Sequence, residues 1–384
     1  MRFISGNDIK LLRSGVEYFP ALELAIQNAA KEIYLQAYIY EQDVSGIRIG
    51  NALMQAVQRG VSVKVLLDGF GSQHLPRQYV ETLRDAGVKL MFYRPKISPW
   101  TLKKNRLRRL HSKVAVIDGL IAFVGGINII DDNNSPNQIP PRIDYAVRIE
   151  GHLLPAITAS VRKLWRRLEW THLHSLYMPP IKQSHHRYHG TGNIKASFVI
   201  RDNILHRRDI ENAYLRAIKA AHTEILIANA YFIPGRKFRK ALINAAKRGV
   251  KVRLLLQGRK EYFLMFATHA FYNEFLNNGI EIYEYRKSFM HSKVAVIDTF
   301  WATIGSSNID PFSLLLAREA NVIIQDKPFA AELRTDIEFL IQDGSFAITS
   351  QEWVKASIVK RIASWIAYGA VRLLLGIIGH KNEH

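Results

Sequence analysis

The chain has 384 residues, length enough for two to three domains, and 48% of them are apolar, which excludes a disordered chain or a small disulfide-stapled scaffold. Lysine and arginine total 53 against 33 aspartate and glutamate, a formal charge of +20, so a polyanionic partner is expected, either nucleic acid or an anionic membrane surface. With no cysteine, disulfides, thiolate nucleophiles and cysteine-based zinc or iron–sulfur centres are excluded.

In chain order, Met1 to Tyr18 mixes charged and polar residues and lacks the apolar core of a secretory signal, so the chain is expected to stay on the cytosolic side. Apolar residues at helical spacing predict a helix over Ala21 to Ala30, and Glu32 to Tyr38 follows it. The stretch Leu53 to Leu67 passes a glycine stop at Gly60 into a β-branched run, Val61 to Leu67. Arg94 to Arg109 then carries seven lysines or arginines and no acid, interleaved with Ile97, Trp100, Leu102 and Leu107. Such a loop suits lipid phosphates at a membrane interface or the phosphates of DNA, or is simply a solvated basic loop.

Directly after it comes His111-Ser-Lys-Val-Ala-Val-Ile-Asp118, and the same octapeptide recurs unchanged as His291 to Asp298. Each copy leads to a small-residue turn and an asparagine, Gly125-Gly126-Ile127-Asn128 and Gly305-Ser306-Ser307-Asn308. The flanks repeat as well: Glu224 to Tyr231 parallels Glu32 to Tyr38, and Leu242 to Leu256 parallels Leu53 to Leu67. With a second helix predicted over Ile210 to Ala221, each half alternates helix and strand, which implies an α/β sheet covered by helices. Met178 to Gly192 reads as the linker, with Pro179, Pro180, Gly190 and Gly192 around His185, His186 and His189. No carboxylate accompanies those histidines, so a solvated linker accounts for them and no metal site is expected. The tail Trp353 to Gly379, with Trp353, Trp365, Tyr368 and four basic residues, suits a helix lying in the membrane interface; a short span or a core-packed helix are the alternatives.

The repeated motif has a definite chemistry. If it opens a strand, His111 and Lys113 project to one side, as do His291 and Lys293. A neutral imidazole is a nucleophile or base at pH 7 and a protonated one is an acid, while lysine and asparagine donate to the non-bridging oxygens of a phosphate. Two copies supply the nucleophile and the acid that a displacement at phosphorus requires.

With its signature His-x-Lys-x4-Asp-x6-Gly-[Gly/Ser]-x-Asn present twice, the chain resembles the phospholipase D superfamily over about residues 5 to 345. Among its branches the chain looks most like the bacterial cardiolipin synthases of the B type, through Arg201 to Glu211, Ala228 to Gly235, Ala302 to Asp310, Glu319-Ala-Asn321, Tyr38 to Asp43 and Arg108 to His111. The resemblance implies two phospholipase-D-like α/β/α domains about a pseudo-twofold axis, with both motifs in one site. The expected boundaries are 1–177 and 193–350 for the two domains, 178–192 for the linker and 351–384 for a basic, apolar, membrane-associating tail.

It further implies that a motif histidine attacks a lipid phosphorus to give a phosphatidyl-histidine, while the other protonates the leaving alcohol and later activates the incoming hydroxyl. By that analogy His111 is the nucleophile and His291 the acid/base, although the identical motifs leave the order open. The catalytic motif residues are then His111, Lys113, Asp118, His291, Lys293 and Asp298, the two aspartates being expected to serve structurally at strand ends. Asn128 and Asn308 would bind the substrate phosphate. Asp144 and Glu319 would each orient the histidine of their own half. No cofactor and no metal is implied. The expected partners are phosphatidylglycerol and an anionic membrane surface rather than nucleic acid, at the cytoplasmic face of a bacterial membrane. A phospholipase D-type hydrolase is the neighbouring alternative, since water can replace the acceptor; a nucleic-acid phosphodiesterase or a non-catalytic membrane-binding protein stand further off.

Overall fold

The structure, a computed structural model, describes residues 1–95, 108–135, 138–173, 192–202, 205–259 and 267–350, with 353, 366 and 369. The linker histidines, most of the Arg94 to Arg109 loop and most of the tail lie outside the described residues.

The first half runs β1 (Ile4–Arg13), α1 (Ser14–Gln27), β2 (Glu32–Ala37), α2 (Val44–Gln58), β3 (Ser62–Asp68), α3 (Arg77–Asp85), β4 (Lys89–Tyr93), β5 (Lys113–Ile117), β6 (Ile121–Gly125), β7 (Arg142–Ile143), β8 (Tyr145–Gly151) and α4 (Leu154–Leu173). The second repeats it as β9 (Ile194–Arg201), α5 (Asp209–Ala220), β10 (Glu224–Asn229), α6 (Arg236–Lys247), β11 (Lys251–Gln257), α7 (Tyr272–Leu276), β12 (Glu281–Tyr285), β13 (Phe289–Met290), β14 (Lys293–Ile297), β15 (Trp301–Gly305), α8 (Pro311–Leu315), β16 (Glu319–Gln325) and α9 (Lys327–Gly344), and adds β17 (Ser345–Ile348).

One 15-stranded sheet carries both halves, and its order is symmetric about the middle: outward from the seam it reads β1-β8-β6-β5-β2-β3-β4 one way and β9-β16-β15-β14-β10-β11-β12-β17 the other. Within each half the β2–β3–β4 and β10–β11–β12 pairs are parallel and the remaining pairs antiparallel, so the sheet is mixed. The motif strands β5 and β14 are buried at every position, which fits their unbroken Val-Ala-Val-Ile runs, since a strand covered on both faces needs no polar alternation.

The seam is made by β1 and β9, which pair antiparallel with a register shift between Ile4 and Asn7. Gly6 takes φ +85° there, a conformation open to glycine. The buried Asn7 stitches the seam: its Nδ2 donates to the carbonyls of Ile4 (2.8 Å) and Ile194 (3.1 Å), and its Oδ1 accepts Leu153 N–H (2.8 Å). Gly6, Asn7, Asp8 and Lys10 break the apolar alternation of β1, so its sequence does not mark it as a strand.

Helices α1 to α3 and α5 to α7 pack on one face, each set closing the core of its own half. The other face belongs to both halves at once: Leu11, Val147, Ile157 and Trp165 share a single core with Leu226, Val294, Val322 and Leu333. Burying apolar surface in common is what holds the halves together. Ion pairs add direction, with Arg13 of β1 meeting Asp336 (2.6 Å) and Glu332 (2.7 Å) of α9.

Candidate active site

Each motif histidine lies two residues before its strand, at the end of the sheet where the parallel strands finish. The chain reaches that point by a crossover between halves. His111 N–H donates to the Arg318 carbonyl (2.9 Å) and Arg318 N–H to the Arg109 carbonyl (2.7 Å); reciprocally, β13 pairs in parallel with β7 and His291 N–H donates to the Ile143 carbonyl (2.7 Å). Buried side chains at the tips of β3 and β11 lock both approaches. Asp68 Oδ2 accepts Leu110 N–H (2.8 Å) and Gln257 Oε1 accepts Met290 N–H (3.1 Å).

This crossover corrects the expected pairing of histidines and carboxylates. His111 Nδ1 lies 2.9 and 3.0 Å from the two oxygens of Glu319, in the second half, and His291 Nδ1 lies 2.7 Å from Asp144 Oδ2, in the first. Each carboxylate serves the histidine of the other half. The reason is in the backbone: the residue before each carboxylate is hydrogen-bonded to the other half's histidine, so its side chain is delivered across the interface.

The lysines lie beneath. Lys113 Nζ donates to the His111 carbonyl (2.7 Å); Lys293 Nζ donates to the His291 carbonyl and to Asp144 Oδ2 (3.5 Å). Both are buried, so removal from water pushes Lys113 down to about 7 and Lys293 down to about 8, each also repelled by nearby positive charge while Glu319 and Asp144 oppose. Burial likewise pushes both histidines below their ordinary value, with Lys293 adding to the effect at His291, and Lys113 adding at His111 against the pull of Glu319. Burial alone would raise Asp144, but Lys293 and His291 hold its carboxyl below the usual carboxylate range. Asp144 Oδ2 and Lys293 Nζ both lie 2.7 Å from His291 Nδ1; in the tautomer that gives the Nδ1 proton to an ionised Asp144, the Nε2 lone pair is available.

Asp118 and Asp298 belong to the motif but not to the reacting cluster. They end β5 and β14 at the far side of the strands from the histidines, with φ +55° and +53°, where a short polar side chain is tolerated. Asp118 accepts the N–H groups of Ala30, Lys31 and Glu32 (2.7–2.8 Å), and Asp298 those of His222, Thr223 and Glu224 (2.8–3.0 Å). Each clamps the turn that leads into β2 or β10.

Asn128 Oδ1 accepts Ile39 N–H (3.0 Å), which pins the loop after β2 and leaves its Nδ2 to donate elsewhere. Asn308 is buried with an Oδ1 that has no partner among the described residues. The small residues before them make room for neighbouring side chains of the sheet. A Cβ at Gly126 would collide with the Asp144 carboxylate, and one at Gly305 with Asn321.

Residues not singled out from the sequence complete the cluster. Ser306, which stands where the first half has Gly126, donates its hydroxyl to Glu319 Oε2 (2.5 Å) and accepts Ala320 N–H (3.0 Å), so Glu319 is held from two sides. Tyr38 stacks edge-on against His111 with centroids 4.9 Å apart, and Tyr231 lies 6.4 Å from His291. The signal was available, since both tyrosines close the repeated flank. Arg201, opposite Glu319 in the ladder, donates to the Ala317 carbonyl (2.5 Å) and steadies the segment entering β16. The apolar groove along β4, lined by Leu90, Met91, Phe92 and Trp165, shares no residue with this cluster.

A family model described as cardiolipin synthase, PLD-like domain, matches residues 22–138 and 214–341, one segment in each half. The chain is 39% identical to cardiolipin synthase B of Escherichia coli over 393 aligned positions, covering 99% of this chain and 91% of the relative. This chain belongs to the cardiolipin synthase family of phospholipase D-like proteins. Membership extends to more distant members, with 30% identity to cardiolipin synthase 1 of Bacillus cereus over 92% of this chain and 70% of that one. The family fold reaches further still: a crystal structure of phosphatidylserine synthase from Haemophilus influenzae superposes with a TM-score of 0.72 over 96% of this chain and 94% of the other, at 13% identity.

Proposed function

We propose that this cardiolipin synthase family member transfers a phosphatidyl group from one phosphatidylglycerol to another, releasing glycerol. The observation that carries the reading is the crossed pair: two histidines with side chains only 15% and 13% exposed, each bonded through Nδ1 to a carboxylate of the other half, with both lysines in the same cluster. Asymmetric roles then divide the two steps. His111 Nε2 attacks the phosphorus of the donor, an N–P bond forms and the P–O bond to glycerol breaks, while a protonated His291 gives its proton to the glycerol oxygen. Neutral His291 next takes the proton from the free hydroxyl of the second phosphatidylglycerol, whose oxygen displaces His111 from phosphorus.

Lys113 and Lys293, with the Asn128 and Asn308 amides, are the donors for the non-bridging oxygens. A bound phosphodiester anion also offsets the lysine charges that hold His291 neutral, so substrate itself readies the acid. Glu319, gripped by Ser306, and Asp144 fix the tautomers. The protein would work at the cytoplasmic face of a bacterial membrane as a peripheral enzyme; among the described residues no helix is long and apolar enough to cross a bilayer.

Incubation with phosphatidylglycerol vesicles tests this. Cardiolipin and free glycerol should appear in equal amounts and persist in EDTA. Phosphatidic acid without cardiolipin would replace transfer by hydrolysis, and cleavage of an oligonucleotide without lipid turnover would refute both lipid readings.

A further inference from the structure

Three large apolar side chains stand in solvent around the mouth of the histidine cluster, each tied to it by a short chain of contacts. Phe70 is 42% exposed; its N–H donates to Asp68 Oδ1 (2.9 Å), the carboxylate whose other oxygen holds Leu110 beside His111. Ile139 is 45% exposed, and its carbonyl accepts the N–H of Phe289, whose ring lies 5.7 Å from His291. Leu205 is 74% exposed, with its N–H on Asp202 Oδ1 (2.9 Å), next to the Arg201 that faces Glu319. Leu205 lies in the connection from β9 to α5, which has no counterpart in the first half, where β1 passes directly into α1.

Cations lie beside these tips. The Arg109 guanidinium lies over the Phe70 ring (5.2 Å) and Arg207 and Arg208, both exposed, follow Leu205, while Arg142, over the Phe289 ring (5.7 Å), donates inward to the carbonyls of Asn134 (2.9 Å) and Asp131 (3.4 Å). Apolar tips among arginines match a surface whose outer layer is anionic and whose interior is hydrocarbon. Exposed apolar residues at the opposite end of the motif strands differ: Leu120 and Phe300 sit singly in the β5–β6 and β14–β15 turns.

We propose that this rim is the membrane-docking face: Phe70, Ile139 and Leu205 enter the boundary between headgroups and acyl chains of an anionic bilayer while the arginines meet lipid phosphates. The histidine site would then open onto the bilayer, so that a phospholipid reaches it without its chains crossing water. The proposal rests on the lipid-transfer reading above and names the surface through which that site meets its substrate.

Because the chain has no cysteine, one thiol can be placed at a time. Phe70→Cys, Ile139→Cys, Leu205→Cys and, for comparison, Leu120→Cys and Phe300→Cys carry an environment-sensitive dye and are mixed with vesicles of phosphatidylglycerol and phosphatidylcholine in equal parts. The dye should shift to the blue at the three rim positions and stay unchanged at the two far turns. In parallel, Phe70→Ser/Ile139→Ser/Leu205→Ser should lower the apparent vesicle affinity by about tenfold or more in sedimentation, with Leu120→Ser/Phe300→Ser within about twofold of the unaltered protein. Unshifted dyes at the rim, or equal shifts at the far turns, would overturn the proposal. Both measurements read docking without turnover, so the result stands whether or not the vesicles are converted to cardiolipin.

Discussion

At the residue scale the crossed contacts decide what each side chain is for. Asp144→Asn and Glu319→Gln keep shape and burial but remove the charge that fixes the histidine tautomer, so each should lower kcat by about 10²–10⁴-fold while leaving lipid binding nearly unchanged. A loss confined to KM would contradict an orienting role. The lysines give the pH dependence. In the free enzyme Lys113 and Lys293 lose their protons at about 7 and about 8, and a neutral amine no longer attracts a phosphodiester. The profile of kcat/KM, which reports the free enzyme, should therefore fall as pH rises above about 7–8. In the complex the bound anion favours the charged amine, so the alkaline limb of kcat should lie at higher pH. Coincident alkaline limbs would show that the lysines do not titrate against substrate.

The scale of elements is where Asp118 and Asp298 act. Asp298 is held below the ordinary carboxylate range by backbone N–H donors that outweigh burial, so its contribution to stability is present at neutral pH and lost as pH falls through its lowered value. Asp118→Ala or Asp298→Ala strips three N–H groups of their acceptor and should cost about 2–4 kcal/mol of stability, measured by denaturant unfolding. The same variants, assayed well below their unfolding temperature, should keep most of their turnover; complete inactivation of the folded protein would place the aspartates in the chemistry instead. Much of this scale was legible beforehand. The octapeptide repeat, its flanks and the helix-strand alternation located the motif strands, because a doubly buried strand writes itself as an unbroken apolar run. What escaped was β1, whose polar residues are paid for by ladders on both sides, and the partner of each histidine. His111 and Glu319 are 208 residues apart and His291 and Asp144 are 147 apart, so repeat symmetry suggested own-half pairs where backbone exchange makes crossed ones.

For the whole molecule, the shared core and the β1–β9 seam mean that neither half holds a finished site. Stability should follow the buried lysines: their folded pKa lies below the ordinary value of 10.5, so between about pH 7 and pH 9.5 the unfolded chain binds more protons and the melting temperature should rise with pH. Tyrosines raised by burial reverse the trend above about pH 10, where the unfolded chain ionises first. Lys113→Met/Lys293→Met should flatten the rise; an undiminished slope would assign it to the falling net charge instead.

The most direct test of the relay across the halves is to trap the intermediate. Protein mixed briefly with phosphatidylglycerol labelled in its phosphate is denatured in alkali, where a phosphorus–imidazole bond survives, and the label is mapped. The label should lie on His111, vanish in His111→Ala, and in His291→Ala form at least about 10³-fold more slowly. Label on His291, or full turnover in either single-histidine variant, would contradict the account.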